Sequence, residues 1–211
     1  MKIIIPMSGR GQRFVNKGYE KIKPLIEIDG KPIIAHVVDM FSSEDTYIFI
    51  CANDHLLKTD LRQVLEGLVP NGTIVGIDPH KKGPIYAVQQ VYDLISDDEE
   101  VIVNYCDFGT YWDYEDFLAH TRNRAADGAI PAYKGFHPHM LGTTNYAFMR
   151  DEAQWMLEIQ EKMPFTDNRM NEYASSGTYY FRTGEMLKKY MDLTVARDLQ
   201  VNGEYYVSVV Y

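Results

Sequence analysis

The first strand of this chain opens into a loop carrying two glycines and an arginine, with a lysine shortly after. Met1 to Ile5 is an apolar run of strand length. It leads into Pro6-Met7-Ser8-Gly9-Arg10-Gly11-Gln12-Arg13-Phe14, then Lys23-Pro24-Leu25 and Asp29-Gly30-Lys31-Pro32. Gly9 and Gly11 let backbone N–H groups turn inward and let a ligand approach closely. Arg13 adds a fixed fork of donors and Lys23 a point charge. The negative charge of a nucleoside triphosphate matches such a cradle, although a Gly-x-Gly after a strand also describes a simple tight turn.

Other groups could complete a phosphate chemistry. Asp107 ends the apolar run Val101–Tyr105. A single carboxylate there suits Mg2+, which takes few protein ligands besides phosphates and water. Asp107 could equally be a helix N-cap, and Lys162 alone reads as a surface lysine. His137-x-His139 offers too few ligands for a metal site. Asp97-Asp98-Glu99-Glu100 reads as a solvated turn. No Ser-His-Asp or Cys-His set stands out.

The chain has 211 residues and a net charge of −9. That length suits one α/β domain, and the charge argues against non-specific nucleic-acid binding. No apolar stretch approaches the roughly 20 residues that span a bilayer. The N-terminus lacks a signal-peptide pattern. Cys51 and Cys106, each in an apolar stretch, read as reduced, buried thiols of a cytoplasmic protein. A homo-oligomer is left open. The sixteen tyrosines have no functional reading at this level.

The elements that must position these groups alternate. Strands are expected at Ile3–Ile5, Tyr47–Ala52, Thr73–Ile77, Val101–Tyr105 and Gly128–Tyr133. Helices are expected over Ile33–Phe41, His55–Leu68, Ile85–Ile95 and Tyr114–Arg124. This order predicts an α/β fold with a mainly parallel or mixed central sheet, Rossmann-like, with helices on both faces. Ligands in such sheets sit beyond the carboxyl ends of strands, where the glycine loop and Asp107 lie. Further on, Asn145–Arg150 and Gly177–Phe181 read as strands, and Trp155–Glu161 as strand or helix. Gly135–Thr144 reads as a loop, and Pro164–Asn171 as a mobile one. Thr183 starts a helix to Asp192. Tyr205–Val210 reads as a core strand, which suggests that further sequence follows.

The series Gly9, Gly11, Arg13, Lys23-Pro24 and Gly30-Lys31-Pro32 resembles the nucleotidyltransferases that join a nucleoside triphosphate to a sugar phosphate or similar phosphometabolite. Arg13-Phe14, Gly18-Tyr19 and Lys23-Pro24-Leu25-Ile26 resemble a capsule- or surface-polysaccharide branch. The likeness continues in Gly83-Pro84-Ile85-Tyr86-Ala87, Val103-Asn104-Tyr105-Cys106-Asp107, Glu161-Lys162 and Ser176-Gly177-Thr178, so it covers nearly the whole chain. It implies a glycosyltransferase-A-like fold in one domain, residues 1–211. Residues 1–133 would bind nucleotide and 134–211 the acceptor. It also implies roles. Met7, Ser8 and Gly9 would contact base and ribose. Gly11 and Arg13 would hold the triphosphate, and Lys23 would bridge the two reacting phosphates. Gly83 to Ala87 would close over the base. Asp107 would bind Mg2+. Lys162 would hold the acceptor phosphate, while Glu161 and Gly177 would line the acceptor pocket. Arg13, Lys23 and Asp107 are thus the implied catalytic set. The chemistry agrees, because phosphoryl attack concentrates negative charge and needs positioning and neutralisation more than a base.

The pattern departs from the family in three places. A second metal-binding acid is expected beyond the region of Glu204-Tyr205-Tyr206. The proline after the Glu-Lys pair is displaced to Pro164. Tyr105 stands where many relatives have glycine. Two other readings therefore remain beside the nucleotidyltransferase. One is a metal-dependent glycosyltransferase using an NDP-sugar, although Asp107-Phe108-Gly109 is not Asp-x-Asp. The other is a non-catalytic nucleotide-binding regulatory subunit.

Overall fold

The computed structural model describes residues 1–136 and 141–211. Its elements run β1 (Lys2–Met7), α1 (Gln12–Val15), β2 (Glu27–Ile28), β3 (Lys31–Pro32), α2 (Ile33–Val38), β4 (Thr46–Ala52), α3 (Asn53–Lys58), α4 (Leu61–Leu68), β5 (Thr73–Ile77) and α5 (Pro84–Gln89). Then come β6 (Val101–Asn104), α6 (Tyr114–Asn123), β7 (Gly128–Ala129), β8 (Ala132–Tyr133), β9 (Ala147–Glu152), β10 (Trp155–Glu161), β11 (Tyr173–Ser175), β12 (Thr178–Phe181) and α7 (Gly184–Ala196).

The main sheet has the order β5-β4-β1-β6-β12-β7. Its first four strands are parallel, and β12 pairs antiparallel with β6 and β7. Alternation explains the two cores. Ile3, Ile5 and Met7 point to the face covered by α2, α4 and α6, where they meet Ile34, Leu61, Leu65 and Leu118. Ile4 points the other way, toward Ile85 and Val88 of α5 and Leu187 and Met191 of α7. A strand with apolar residues on both sides can only be a central one. Residues after 133 complete this sheet, since Tyr179, Tyr180 and Phe181 of β12 are all buried in it. The second sheet, β10-β9-β11-β8, is antiparallel.

Several expected elements change at their ends or divide. The helix expected over His55–Leu68 is two, α3 and α4. Thr59 Oγ1 donates to the His55 carbonyl at 2.7 Å and accepts the Leu61 N–H at 3.3 Å. That local bonding competes with the helical ladder. The helix expected over Ile85–Ile95 stops as α5 and resumes as a 3-10 turn at Tyr92–Leu94. There Gln89 and Tyr92 both donate to Asp192 of α7. The strand expected over Gly128–Tyr133 splits at Pro131, which has no N–H to give a ladder. Its halves enter different sheets. The helix from Ile33 ends at Val38. Trp155–Glu161 is a strand, joined to β9 through Ala153 and Gln154 at φ 49° and 64°, a tight hairpin of the kind with two left-handed residues. Pro164–Asn171 is folded about Glu172, whose carboxylate accepts the N–H groups of Phe165 and Thr166, each at 2.7 Å. The expected strand at Tyr205–Val210 is instead extended at Tyr206 and a 3-10 turn at Val207–Val210. The Val207 N–H goes to the Tyr105 hydroxyl rather than to a ladder. Thr183 caps α7 as expected, accepting the Met186 N–H at 3.1 Å. His137 and His139 lie outside the described residues.

Two glycines test this packing. A Cβ on Gly184 would lie 2.1 Å from the Ser96 carbonyl oxygen. Gly184→Ala is expected to lose about 2–3 kcal/mol in urea unfolding, as an overpacked site against backbone. Gly67 sits in α4 with nothing near its Cβ position. Gly67→Ala is expected to gain about 0.5–1 kcal/mol from helix propensity. A Gly184→Ala protein as stable as the wild type would contradict the close seat of α7.

Candidate active site

The carboxyl ends of β1 and β6 are neighbours in the main sheet, and the site forms there. The loop after β1 turns at Gly11, whose φ of 59° is left-handed. A side chain there would strain the backbone. Lys23 begins a 3-10 turn, Lys23–Leu25, that brings its ammonium back onto the Asp107 carboxylate as an ion pair. Asp107 stands three residues past the end of β6, so chain segments far apart in sequence meet at one charged pair.

Two adjoining cavities share Gly11, Lys23, Tyr105, Asp107 and Tyr206. The smaller, about 250 Å3, adds Met7, Ser8, Gly9, His80, Gly83 and Glu204. The larger, about 650 Å3, adds Arg13, Phe108, Asn145, Glu161, Lys162 and Gly177. Nearly all the residues singled out in the sequence line these two spaces. Arg13 lies on the larger one, where its guanidinium donates to Asn145 Oδ1 at 2.8 Å. Gly9 has neither a left-handed φ nor a crowded Cβ position. It lines the smaller cavity as open backbone. Ala87 is buried in the core under α5 and lines neither cavity.

The smaller cavity has a fixed polar edge. The Lys82 N–H donates to His80 Nδ1 at 3.2 Å. That leaves the ring proton on Nε2, which donates to Ser8 Oγ at 3.2 Å. Burial, helped by the Lys82 charge, holds the His80 pKa below its ordinary value, which favours the neutral ring. Gly83, at φ 87°, starts α5. A Cβ on it would lie 2.7 Å from the backbone of Tyr205.

The larger cavity is walled by aromatic rings and by the end of β10. Gly177, at φ 77°, is required there, since a Cβ would reach 2.4 Å from the Phe108 ring. Glu161 is largely buried and accepts from Ser208 Oγ at 2.6 Å. Burial raises its pKa. Burial likewise lowers the pKa of Lys162, against the pull of Glu161 and Glu204. The Lys162 ammonium donates to the Tyr206 hydroxyl, which donates in turn to Glu204. Sequence reading did not assign roles to Glu204, Tyr206 or Ser208. Glu204 and Tyr206 line the smaller cavity, and Ser208 reaches the site through its bond to Glu161.

Among the described residues no three His, Cys, Asp or Glu side chains gather as a metal cluster. Asp107 and Glu204 both line the smaller cavity. Carboxylate oxygens beside a space for phosphates fit Mg2+, which completes its shell with phosphate and water.

The raised pKa of Glu161 has a consequence for stability. As pH rises past the ordinary glutamate range, the unfolded chain loses this proton before the folded one does. Stability contributed by the buried neutral carboxyl is therefore lost as pH rises through the folded pKa. Glu161→Gln is expected to be more stable than wild type in urea at pH 7, with the difference vanishing below about pH 4. An equal difference at both pH values would contradict the buried carboxyl.

The model of the MobA-like NTP transferase domain matches residues 3–169. A search of curated proteins gave no match. Three solved structures are similar over 99% of this chain. The nucleoside-diphosphate-sugar pyrophosphorylase from Vibrio cholerae RC9 is 21% identical, with a TM-score of 0.77 and 85% of its chain covered. A UDP-glucose pyrophosphorylase complexed with UDP-glucose is 16% identical, with a TM-score of 0.71 and 84% covered. The inositol-1-phosphate CTP transferase from T. maritima is 15% identical, with a TM-score of 0.69 and 78% covered. At these identities the likeness is one of fold. It agrees with the glycosyltransferase-A-like sheet, and the family match takes in the glycine loop, Lys23, Asp107 and Glu161-Lys162. The chain belongs to the MobA-like NTP transferase domain family.

Proposed function

We propose that this protein joins a nucleoside triphosphate to a sugar phosphate or comparable phosphorylated metabolite, giving an NDP-linked product and pyrophosphate. One observation carries the reading. Two cavities, one edged by the glycine loop and one by Lys162 and Arg13, meet at Lys23 and Asp107. Two substrates brought end to end across that junction place two phosphates together. The similar structures bear the names of a nucleoside-diphosphate-sugar pyrophosphorylase, a UDP-glucose pyrophosphorylase and an inositol-1-phosphate CTP transferase.

In this reading the chain is one domain. The nucleotide takes the smaller cavity, with Met7, Ser8 and Gly9 at base and ribose and the Gly83 turn beside them. An oxygen of the acceptor phosphate attacks the α-phosphorus. A P–O–P bond forms, the bond to the β-phosphate's bridging oxygen breaks, and pyrophosphate leaves. A phosphate monoester dianion is already a nucleophile, so no proton need be removed. Catalysis then rests on positioning and on cationic charge from Arg13, Lys23 and Lys162. Mg2+ held by Asp107 would supply further charge neutralisation at the phosphates. The Lys23 ammonium, now on Asp107, would move to the phosphates when both are present. The resemblance of Arg13-Phe14, Gly18-Tyr19 and Lys23-Pro24-Leu25-Ile26 points to surface polysaccharide synthesis in the cytoplasm as the setting.

Thermal unfolding with ATP, CTP, GTP, UTP and dTTP, each with Mg2+, identifies the donor. At a hundred times its dissociation constant one nucleotide should add about 2.7 kcal/mol. Pyrophosphate release with a panel of sugar 1-phosphates then tests turnover. Asp107→Ala and Arg13→Ala are each expected to cut turnover about 100-fold or more, while Lys189→Ala, on the solvent face of α7, leaves it unchanged. Release of nucleoside diphosphate from an NDP-sugar, with no pyrophosphate released from any triphosphate, would establish a glycosyltransferase. Binding without turnover by any pair would establish a regulatory subunit.

A further inference from the structure

We propose that Tyr206 is a positioning residue that fixes Lys162 for the acceptor phosphate and ties it to the nucleotide side through residues 204–208. This rests on the reading above that Lys162 holds that phosphate.

The segment 204–208 is bonded to both half-sites. Toward the nucleotide, the Tyr205 N–H donates to the Lys82 carbonyl at 2.9 Å and the Ile85 N–H donates to the Tyr205 carbonyl at 3.2 Å. Gly83 lies so close that any side chain would collide with the Tyr205 backbone. Toward the acceptor, Ser208 Oγ donates to Glu161 and the Lys162 ammonium donates to the Tyr206 hydroxyl. The Val207 N–H anchors the middle on the Tyr105 hydroxyl at 3.2 Å.

The hydroxyl of Tyr206 is oriented by both neighbours. Its proton goes to Glu204 and its oxygen accepts from Lys162. A tyrosine can do both at once and a phenylalanine neither. The Lys162 ammonium also lies 3.9 Å from the centre of the Tyr206 ring. An ammonium has three donors, so two remain for a phosphate while the third is held. The backbone of Lys162 is in the left-handed region at φ 61°, uncommon for a residue with a side chain. Its N–H donates to the Tyr146 carbonyl, and its carbonyl accepts from the Thr144 hydroxyl at 2.5 Å. Such strain persists where surroundings over-determine a conformation, often at functional sites. Backbone and side chain of Lys162 are thus both constrained, the side chain through Tyr206 alone among the described residues' hydrogen bonds.

A bridge of this kind makes a prediction that a plain brace does not. Removing only the hydroxyl should loosen Lys162 while ring packing and the Gly83 contact remain. The charged and titratable groups facing Lys162 are Glu161, Glu204, Tyr206 and Arg13. Losing a hydrogen-bond acceptor disfavours the ammonium, so the alkaline limb of the pH profile should move to lower pH.

The test compares wild type and Tyr206→Phe as whole chains by pyrophosphate release, with the best sugar 1-phosphate and nucleotide. The expected result is a KM for the sugar phosphate raised at least about tenfold, with a nucleotide KM within about twofold and the alkaline limb moved down. Unchanged acceptor KM would overturn the proposal. So would both KM values rising together, since a general brace does that. Glu204→Gln, which keeps the ring and hydroxyl, should move the acceptor KM in the same direction by less; it serves if Tyr206→Phe does not fold. If wild type turns over no pair, the functional reading fails by itself. Inorganic phosphate titrated calorimetrically into wild type, Lys162→Met and Tyr206→Phe then decides the bridge. Wild type should bind it, Lys162→Met should weaken it most, and Tyr206→Phe should weaken it at least about fivefold. No binding by wild type, or equal binding by Tyr206→Phe, would overturn the proposal.

Discussion

The site depends on β1 and β6 being adjacent and parallel. Ile4 sits opposite Val103 in that register, so both strands run out at the same edge of the sheet. The loops leaving them carry Gly11 and Lys23 on one side and Asp107 on the other. The Lys23–Asp107 pair spans the gap between the two loops. Both side chains are about a quarter exposed, so the pair adds only about 0–1 kcal/mol to stability. Its worth is in geometry. It places a cation and an anion where the two cavities meet.

The second sheet provides what the first cannot. β9 and β10 form a hairpin that reaches over that edge of the first sheet and presents Glu161 and Lys162 from the far side. The hairpin is held to the main sheet by β11, which leads through Gly177 into β12. Gly177 cannot be replaced cheaply, because Phe108 fills the space where a side chain would stand. The ring that closes one wall of the larger cavity therefore also explains a glycine in its floor.

Period and punctuation made most of the fold legible. Ile3, Ile4 and Ile5 announce a strand buried on both faces, and the αβ order announces helices on both sides. Thr73–Ile77 and the Thr183 cap were read as they stand, whereas several other elements end early or divide. Thr59 looks like an ordinary helix residue until its hydroxyl bonds the backbone on both sides. The helix breaks after Gln89, where Gln89 and Tyr92 on either side of the break both bind Asp192, distant in sequence. Pro131 was the one visible break, and it divides a strand between two sheets. In the site, glycine spacing and cation types marked the residues that line the cavities. Ala87 was drawn in by its neighbours in a motif, yet it serves the core. Tyr206 and Glu204 escaped because the contact that places them, between the Tyr206 hydroxyl and Lys162, joins residues 44 apart in sequence.

Burial of opposite charges explains how the end of β10 is built. Glu161 and Lys162 are adjacent in the chain, and burial works against the charged form of each. Left alone, both would tend to neutralise, and a neutral amine cannot hold a phosphate. The surroundings counter this unequally. Glu161 has the Ser208 hydroxyl, whereas Lys162 has the Tyr206 hydroxyl backed by the Glu204 carboxylate. A carboxylate acting through a hydroxyl favours the ammonium without occupying the space beside it. A direct Lys162–Glu204 pair would favour the charge as well, but it would bind the lysine to the wrong partner when the substrate arrived. In the proposed reading, interposing a tyrosine orients the lysine and leaves two of its donors free for a dianionic acceptor.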